Sequence, residues 1–221
     1  MVVRVVPDGD ERDKDVANGI RYAVDNGAHI INMSFGKDFS PYKPVVDEAV
    51  RYATSNNVLL IHAAGNDGAN NDSTSNYPQP PMSNGRIENS NWIEVGASSW
   101  QDLPNLAASF SNYGQHSVDV FAPGVSIYST TPGSEYKRAD GTSMASPVVA
   151  GLAALIMTYY PELTAAQVKE IIVESAISYS GEMVVQPGTQ DRMVPFGTLS
   201  KTGSIVNAYE ALKLAEERAG M

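Results

Sequence analysis

Short apolar runs without alternation, set between amphipathic stretches of helical period, predict an α/β fold: three layers, with a mostly parallel sheet and helices on both faces. Three observations carry that reading. Ile30–Phe35 reads as a strand without alternation and Val58–Ala64 as an apolar run, as expected of parallel strands covered on both sides. Asp15–Asn26 and Pro44–Asn56 carry apolar residues at helical spacing, with Val16, Ile20, Ala23 and Val24 on one face of the first. Turn formers punctuate the joints, with Gly27 as a helix C-cap and Gly65-Asn66 closing the second run.

In chain order, Val2–Val6 reads as a strand and Asp8–Asp13 as an acidic loop leading into the first helix, where its charges suit the helix dipole. The helix Pro44–Asn56 feeds the strand Val58–Ala64. The segment from Asn70 to Asn91, rich in Asn, Ser, Pro and Gly, reads as a long surface loop. Trp92–Ala97 and Val118–Phe121 follow as short strands. A helix opens near Thr142 and runs to Tyr159 without a polar face, which predicts burial all round. Pro147 is tolerated by lying in or next to its first turn. Thr164-Ala165-Ala166-Gln167 fits a capping box opening a helix to Ser175, and Val206–Arg218 closes the chain as an amphipathic helix. No repeat or linker divides residues 1–221, which read as one domain.

Composition narrows the function. The formal net charge is −10 with no Lys/Arg cluster, which argues against nucleic acid as a partner. No apolar run reads as long enough for a membrane span. Cysteine is absent, so disulfide and thiol chemistry are excluded. Phosphate-binding glycine loops, zinc motifs and dinucleotide fingerprints are missing, so no cofactor or metal is expected. Asp8–Asp13 resembles a calcium loop only faintly, lacking its sixth-position glycine and terminal glutamate. Asp67, Asn70, Asn71 and Asp72 form Asx-rich turns that need no cation.

Two segments carry chemistry. Asp140-Gly141-Thr142 delivers Ser143 onto the first turn of the apolar helix, beside backbone N–H groups without intrahelical partners. That placement suits a nucleophile whose attack creates an oxyanion; the plainer reading is a helix cap. Asn66, at the carboxyl end of an apolar strand, offers a neutral amide donor where open α/β sheets put their ligand crevices.

Gly141-Thr142-Ser143-Met144-Ala145-Ser146-Pro147 is similar to the nucleophile motif of the subtilisin-like serine peptidases. Ala63-Ala64-Gly65-Asn66 resembles their oxyanion-asparagine segment, and Ile31-Asn32-Met33-Ser34-Phe35-Gly36 the strand lining their substrate cleft. Residues 108–114 and 120–124 resemble the stretch before the nucleophile, and all four occur in the family's order. The resemblance implies catalytic roles for Ser143 and Asn66. It implies a cleft walled by Ser34, Phe35 and Gly36 on one side and Ala63, Ala64 and Gly65 on the other, with Thr142 beside the serine. It also implies a polypeptide substrate, a large apolar residue before the cleaved bond, and a secreted or cell-envelope setting.

The family's aspartate and its His-Gly-Thr-His-like motif have no match here. His29, His62 and His116 lie in other contexts, each read as structural or solvated. The resemblance therefore implies a partial catalytic domain lacking its N-terminal strands, with the missing N-terminal segment as a partner. It also implies a sheet with an open gap, prone to poor folding, strand shifts or self-association. Three functions follow: the nucleophile-bearing part of an endopeptidase, inactive alone; a pseudo-protease or peptide-binding module using the same cleft; or a structural or interaction protein using only the scaffold. Intact Ser143 and Asn66 favour the first.

Overall fold

The computed structural model describes residues 1–6, 9, 11–83, 86–87 and 91–220. Its helices are α1 Asp13–Asp25, α2 Lys43–Ser55, α3 Thr142–Tyr159, α4 Ala165–Glu174 and α5 Ala208–Ala219. The strands, in chain order, are β1 Ile30–Met33, β2 Leu59–Ala63, β3 Met82–Ser83, β4 Arg86–Ile87, β5 Trp92–Ser98, β6 Val120–Pro123, β7 Ile127–Thr131 and β8 Glu135–Ala139. They continue with β9 Ile177–Ser178, β10 Met183–Val185, β11 Met193–Pro195 and β12 Ser204–Ile205. The main sheet runs β1-β2-β5-β6-β12-β9, parallel throughout except for β9.

The layers follow from the alternation of side chains within buried strands. Leu59 and Ile61 of β2, with Ile93 and Val95 of β5, pack under α3, α4 and α5. Leu60 and Trp92 point the other way, into a cluster with Val16, Ala17 and Ile20 of α1 and Val46, Ala49 and Val50 of α2. The expected three-layer α/β architecture is observed. The Thr164/Gln167 capping box forms in full.

Three expectations are corrected. Val2–Val6 forms no strand, and β1 is left as the edge of the sheet. Between this segment and β1 lies a groove of about 700 Å³, lined by Val3, Val5, Gly19, Ile20, Ile31 and Ala150 among others. An apolar stretch becomes a strand only where another backbone lies within ladder distance, about 4.8 Å, and here the groove intervenes. The gap beside β1 is open in this structure. The α3 helix is not buried all round, since Gly151, Ala154, Leu155 and Tyr159 are exposed and Ala150 and Ala154 border the groove. By length and composition alone α3 is apolar enough to cross a membrane, at mean hydropathy 1.4 over 18 residues. Its inner face packs on β1, β2, β5 and β6, as the core helix of a layered fold does. Pro147 sits one turn inside α3, where it withholds the bond that the Ser143 carbonyl would otherwise receive.

The acidic loop has a fixed end. Asp8 and Asp10 lie outside the described residues, but Asp13 is buried and accepts from Ser40 Oγ (2.9 Å), the Tyr42 N–H (2.7 Å) and Lys37 Nζ (2.7 Å). Burial alone would raise its pKa, but the bonds from Lys37, Tyr42 and Ser40 outweigh it and hold the carboxyl below its ordinary value. A carboxyl lowered in the folded state contributes stability above its ordinary value and loses it as pH falls through the folded one. Asp13→Asn is thus expected to cost about 1–3 kcal/mol at neutral pH and much less in acid. Urea unfolding at pH 7 and pH 3 checks this; equal losses at both would count against it.

The hairpin β7–β8 escaped sequence reading because neither of its faces is buried. Stacked Tyr128 and Tyr136, ring centroids 5.5 Å apart, and the turn through Gly133 (φ +86°) define it instead.

Candidate functional site

Parallel pairing brings the ends of β1 and β2 side by side, with Met33 opposite His62. The residues that follow, Ser34-Phe35-Gly36 and Ala64-Gly65-Asn66, leave the sheet at its carboxyl edge. The N-terminus of α3 meets them there. Gly141, at φ +150°, turns the chain into the helix in a conformation that a side chain would strain. Ser143 is the second helical residue and half-buried, and its backbone N–H has no acceptor within the helix.

Long-range bonds fix the mouth. Ser143 Oγ donates to the Ser34 carbonyl (3.0 Å), tying the helix tip to the first wall. The Gly65 N–H donates to Thr142 Oγ1 (3.1 Å), tying it to the second. Thr142 donates twice to Asn66 Oδ1, from its N–H at 2.8 Å and its hydroxyl at 3.0 Å. With the amide oxygen so held, Asn66 Nδ2 is turned away from Thr142 and has no partner among the described residues. Thr142 therefore orients Asn66. Of the nine residues singled out in the sequence, Ser34, Gly65, Asn66, Thr142 and Ser143 are joined by these bonds; Gly36, Ala63 and Ala64 adjoin them along the two segments, while the Phe35 side chain packs against the core cluster under α1 and α2.

Several supports were not legible beforehand. Ser146 Oγ donates to Asn32 Oδ1 (2.6 Å), and Asn32 Nδ2 to Ser34 Oγ (2.8 Å), carrying the α3 tip onto β1. Asn76 Nδ2 donates to the Ala63 carbonyl (2.9 Å) and Asn71 Nδ2 to that of Ala64 (2.8 Å), bracing the second wall from the long loop. His62 is fully buried, with Nδ1 at 2.9 Å from Glu94 Oε1 and Nε2 at 2.8 Å from the Phe35 carbonyl. It is structural, as expected, yet it does have a carboxylate. The missed signal was a glutamate in the apolar strand Trp92-Ile93-Glu94-Val95, which falls opposite His62 in register.

No histidine bonds Ser143. His62 is committed to Glu94 and Phe35, His29 borders the groove beside β1, and exposed His116 donates its backbone N–H to Asp72 (3.0 Å). Of the Asx-rich turn, Asn70 Oδ1 accepts from the Asp72 N–H and Asp72 from Ser117 Oγ, so those groups satisfy local backbone and side chains.

Fold and site together define a layered α/β chain with a serine at the tip of its core helix and an asparagine amide held by the neighbouring Thr142. A model of the Subtilase family matches residues 1–204. Subtilisin from Bacillus pumilus is 43% identical over 169 residues, covering 75% of this chain and 55% of its own. Subtilisin amylosacchariticus from Bacillus subtilis subsp. amylosacchariticus is also 43% identical over 169 residues, 75% of this chain and 40% of its own. A solved chain from a study of subtilase cytotoxin SubAB assembly aligns with a TM-score of 0.80 at 25% identity, covering 98% of this chain and 68% of that one. The chain belongs to the subtilase family. It spans about half the length of the curated relatives it matches.

Proposed function

We propose that this chain carries the nucleophile and oxyanion hole of a serine endopeptidase, and that the base comes from a segment outside these 221 residues. The observation that carries the reading is the double bond-donation from Thr142 to Asn66 Oδ1, which commits the amide oxygen beside the helix tip and leaves Nδ2 as the donor without a partner among the described residues. In this reaction Ser143 Oγ attacks the peptide carbonyl carbon while its proton passes to a histidine. The carbonyl oxygen gains the charge and is held by Asn66 Nδ2 and the Ser143 N–H. The C–N bond breaks as the histidine returns the proton to the amine, and water then hydrolyses the ester.

Ser143 now donates to a carbonyl oxygen, which accepts a hydrogen bond but not a proton. That contact supports a chain inactive alone. The groove beside β1 supports the entry point of the missing segment, because the free strand edge and the apolar side chains of Val3, Val5 and Ile20 match an added strand. Without it, the same edge is open to a second copy of the chain. The parent enzyme, on this reading, works in a secreted or cell-envelope setting.

The test is intact mass after incubation with a fluorophosphonate, using Ser143→Ala as control. We expect no adduct on the chain alone, and one adduct, lost in Ser143→Ala, once an upstream segment bearing the histidine and aspartate motifs is added. Rapid labelling of the chain alone would place the base within it. No labelling in either case would favour a peptide-binding module that keeps the cleft without the chemistry.

A further inference from the structure

We propose that Asn112 is a positioning residue for the oxyanion hole, acting through the backbone on either side of Asn66. The inference rests on the function proposed above and deepens it by naming what holds the main chain of that asparagine. Asn66 is itself exposed, so packing does not fix it. Thr142 fixes only the far end of its side chain. A donor in such a site has to be held to within about 0.5 Å, which requires a fixed Cα as well. That Cα lies between two peptide groups, and both end on Asn112. The Gly65 carbonyl, just before Asn66, accepts from the Asn112 N–H (2.9 Å). The Asp67 N–H, just after it, donates to Asn112 Oδ1 (2.8 Å).

The rest of Asn112 is equally committed. It is 3% exposed, and its Oδ1 accepts a second bond from the Ala69 N–H (3.0 Å). Its Nδ2 donates to Asn71 Oδ1 (3.1 Å), and Asn71 Nδ2 in turn holds the Ala64 carbonyl. Only an amide offers an acceptor for two N–H groups and a donor beside it. Leucine would leave both N–H groups without an acceptor. Aspartate would turn an oxygen toward Asn71 Oδ1 and bring a full negative charge to a loop that must stabilise an anion. Asn112 is also anchored to the sheet. Buried Ser111 Oγ accepts from the Ala97 N–H of β5 (2.9 Å) and donates to the Asn112 carbonyl (2.8 Å).

The far side of the loop is closed off. Gly68, two residues after Asn66, packs on the turn between β10 and β11: a Cβ on it would fall 2.5 Å from Gly188 Cα. The Gly188 N–H donates to the Ser109 carbonyl (2.8 Å), and the Gly68 N–H to that of Phe110 (2.8 Å). The loop is therefore held between residues 109–113 and the hairpin, and its one adjustable face is the one Asn112 fills. A Cβ on Gly65 would collide with the Asn112 amide nitrogen, so the two are in contact there. Removing the amide gives the loop room on that side and lets Asn66 shift with it. A misplacement of about 1 Å costs on the order of 10² in rate, and here the loss falls on kcat, because Asn66 matters most once the carbonyl oxygen is charged.

The experiment is a double-mutant cycle in kcat, on the chain joined to its upstream segment and with one peptide substrate. The proteins are the parent, Asn112→Ala, Asn66→Ala and the double variant. We expect Asn112→Ala to lower kcat by about tenfold to a hundredfold with KM changed less than about twofold. Once Asn66 is alanine, the same substitution should change kcat by less than about twofold, because its effect runs through Asn66. A residue that merely supports the fold lowers kcat by the same factor in both backgrounds, and that result overturns the inference. So does an unchanged kcat, or a loss confined to KM. Asn71→Ala decides the matter if Asn112→Ala does not fold. It frees the Asn112 amide nitrogen but leaves both bonds to Oδ1 in place. Its smaller loss in kcat should likewise vanish without Asn66, and an equal loss in both backgrounds, or none, overturns the inference. If Asn66→Ala lowers kcat while the cycle is additive, the oxyanion reading stands and only this inference falls. If the joined chain has no turnover, or Asn66→Ala leaves kcat unchanged, that reading fails and this inference fails with it.

Discussion

Replacing His62 by alanine is expected to lower the free energy of unfolding by about 3–5 kcal/mol, the usual loss when one member of a buried polar pair is deleted. Glu94 accepts from Trp92 Nε1 at 2.8 Å, and His62 Nδ1 lies 2.9 Å and 3.1 Å from its two carboxylate oxygens. The other ring nitrogen faces a carbonyl oxygen and so carries a hydrogen. Removing the ring strands the carboxylate in the core, leaves the Phe35 carbonyl without its donor and opens a void against Trp92, 5.3 Å away between ring centroids. The pair as a whole is another matter. Converting both residues to apolar ones of similar volume removes the charge and its partner together, and such swaps are often close to neutral. Urea unfolding of His62→Ala beside His62→Leu/Glu94→Leu separates the two effects. A single-variant loss under about 1 kcal/mol would mean that Glu94 finds other partners and that His62 is only filler.

On the proposed function, Asn66→Ala in the chain joined to its upstream segment is expected to reduce kcat with little change in KM, since the donor matters most when the carbonyl oxygen becomes charged. Loss of such an asparagine in a subtilisin costs about 10²–10³ in kcat, and that figure is carried over from the relative. Thr142→Val gives an internal comparison: it removes one of two bonds to Asn66 Oδ1 and keeps the backbone one. Its loss should be smaller and of the same kind. Steady-state kinetics on one peptide substrate decide the matter. An Asn66→Ala variant with unchanged kcat and raised KM would make the amide a substrate contact and nothing more.

The sequence disclosed most readily what rests on local pattern. The apolar run Val58–Ala64 gave β2 because a strand covered on both faces needs no alternation, and Gly141-Thr142-Ser143 gave the helix tip because its turn chemistry is local. What it concealed depends on register or on a missing neighbour. Glu94 finds its partner only when β2 and β5 are paired, and Asn76 reads as loop composition until the loop folds back onto the Ala63 carbonyl. Val2–Val6 has the composition of a strand but no adjacent backbone, and the pattern of side chains cannot report that. The apolar face of α3 was misjudged for a related reason: hydropathy says what a helix can bury, and only the assembled layers say what covers it.

The bond from Ser143 to Ser34 spans 109 residues, and those from Thr142 to Asn66 span 76. Contacts so distant along the chain form late, after the intervening loops have been closed. During synthesis, then, the ribosome must release nearly two-thirds of the chain before the serine exists, and the wall it leans on must wait folded, or nearly so, until it arrives. A polypeptide stalled or clipped short of α3 holds the two walls without the serine that bonds to the first of them.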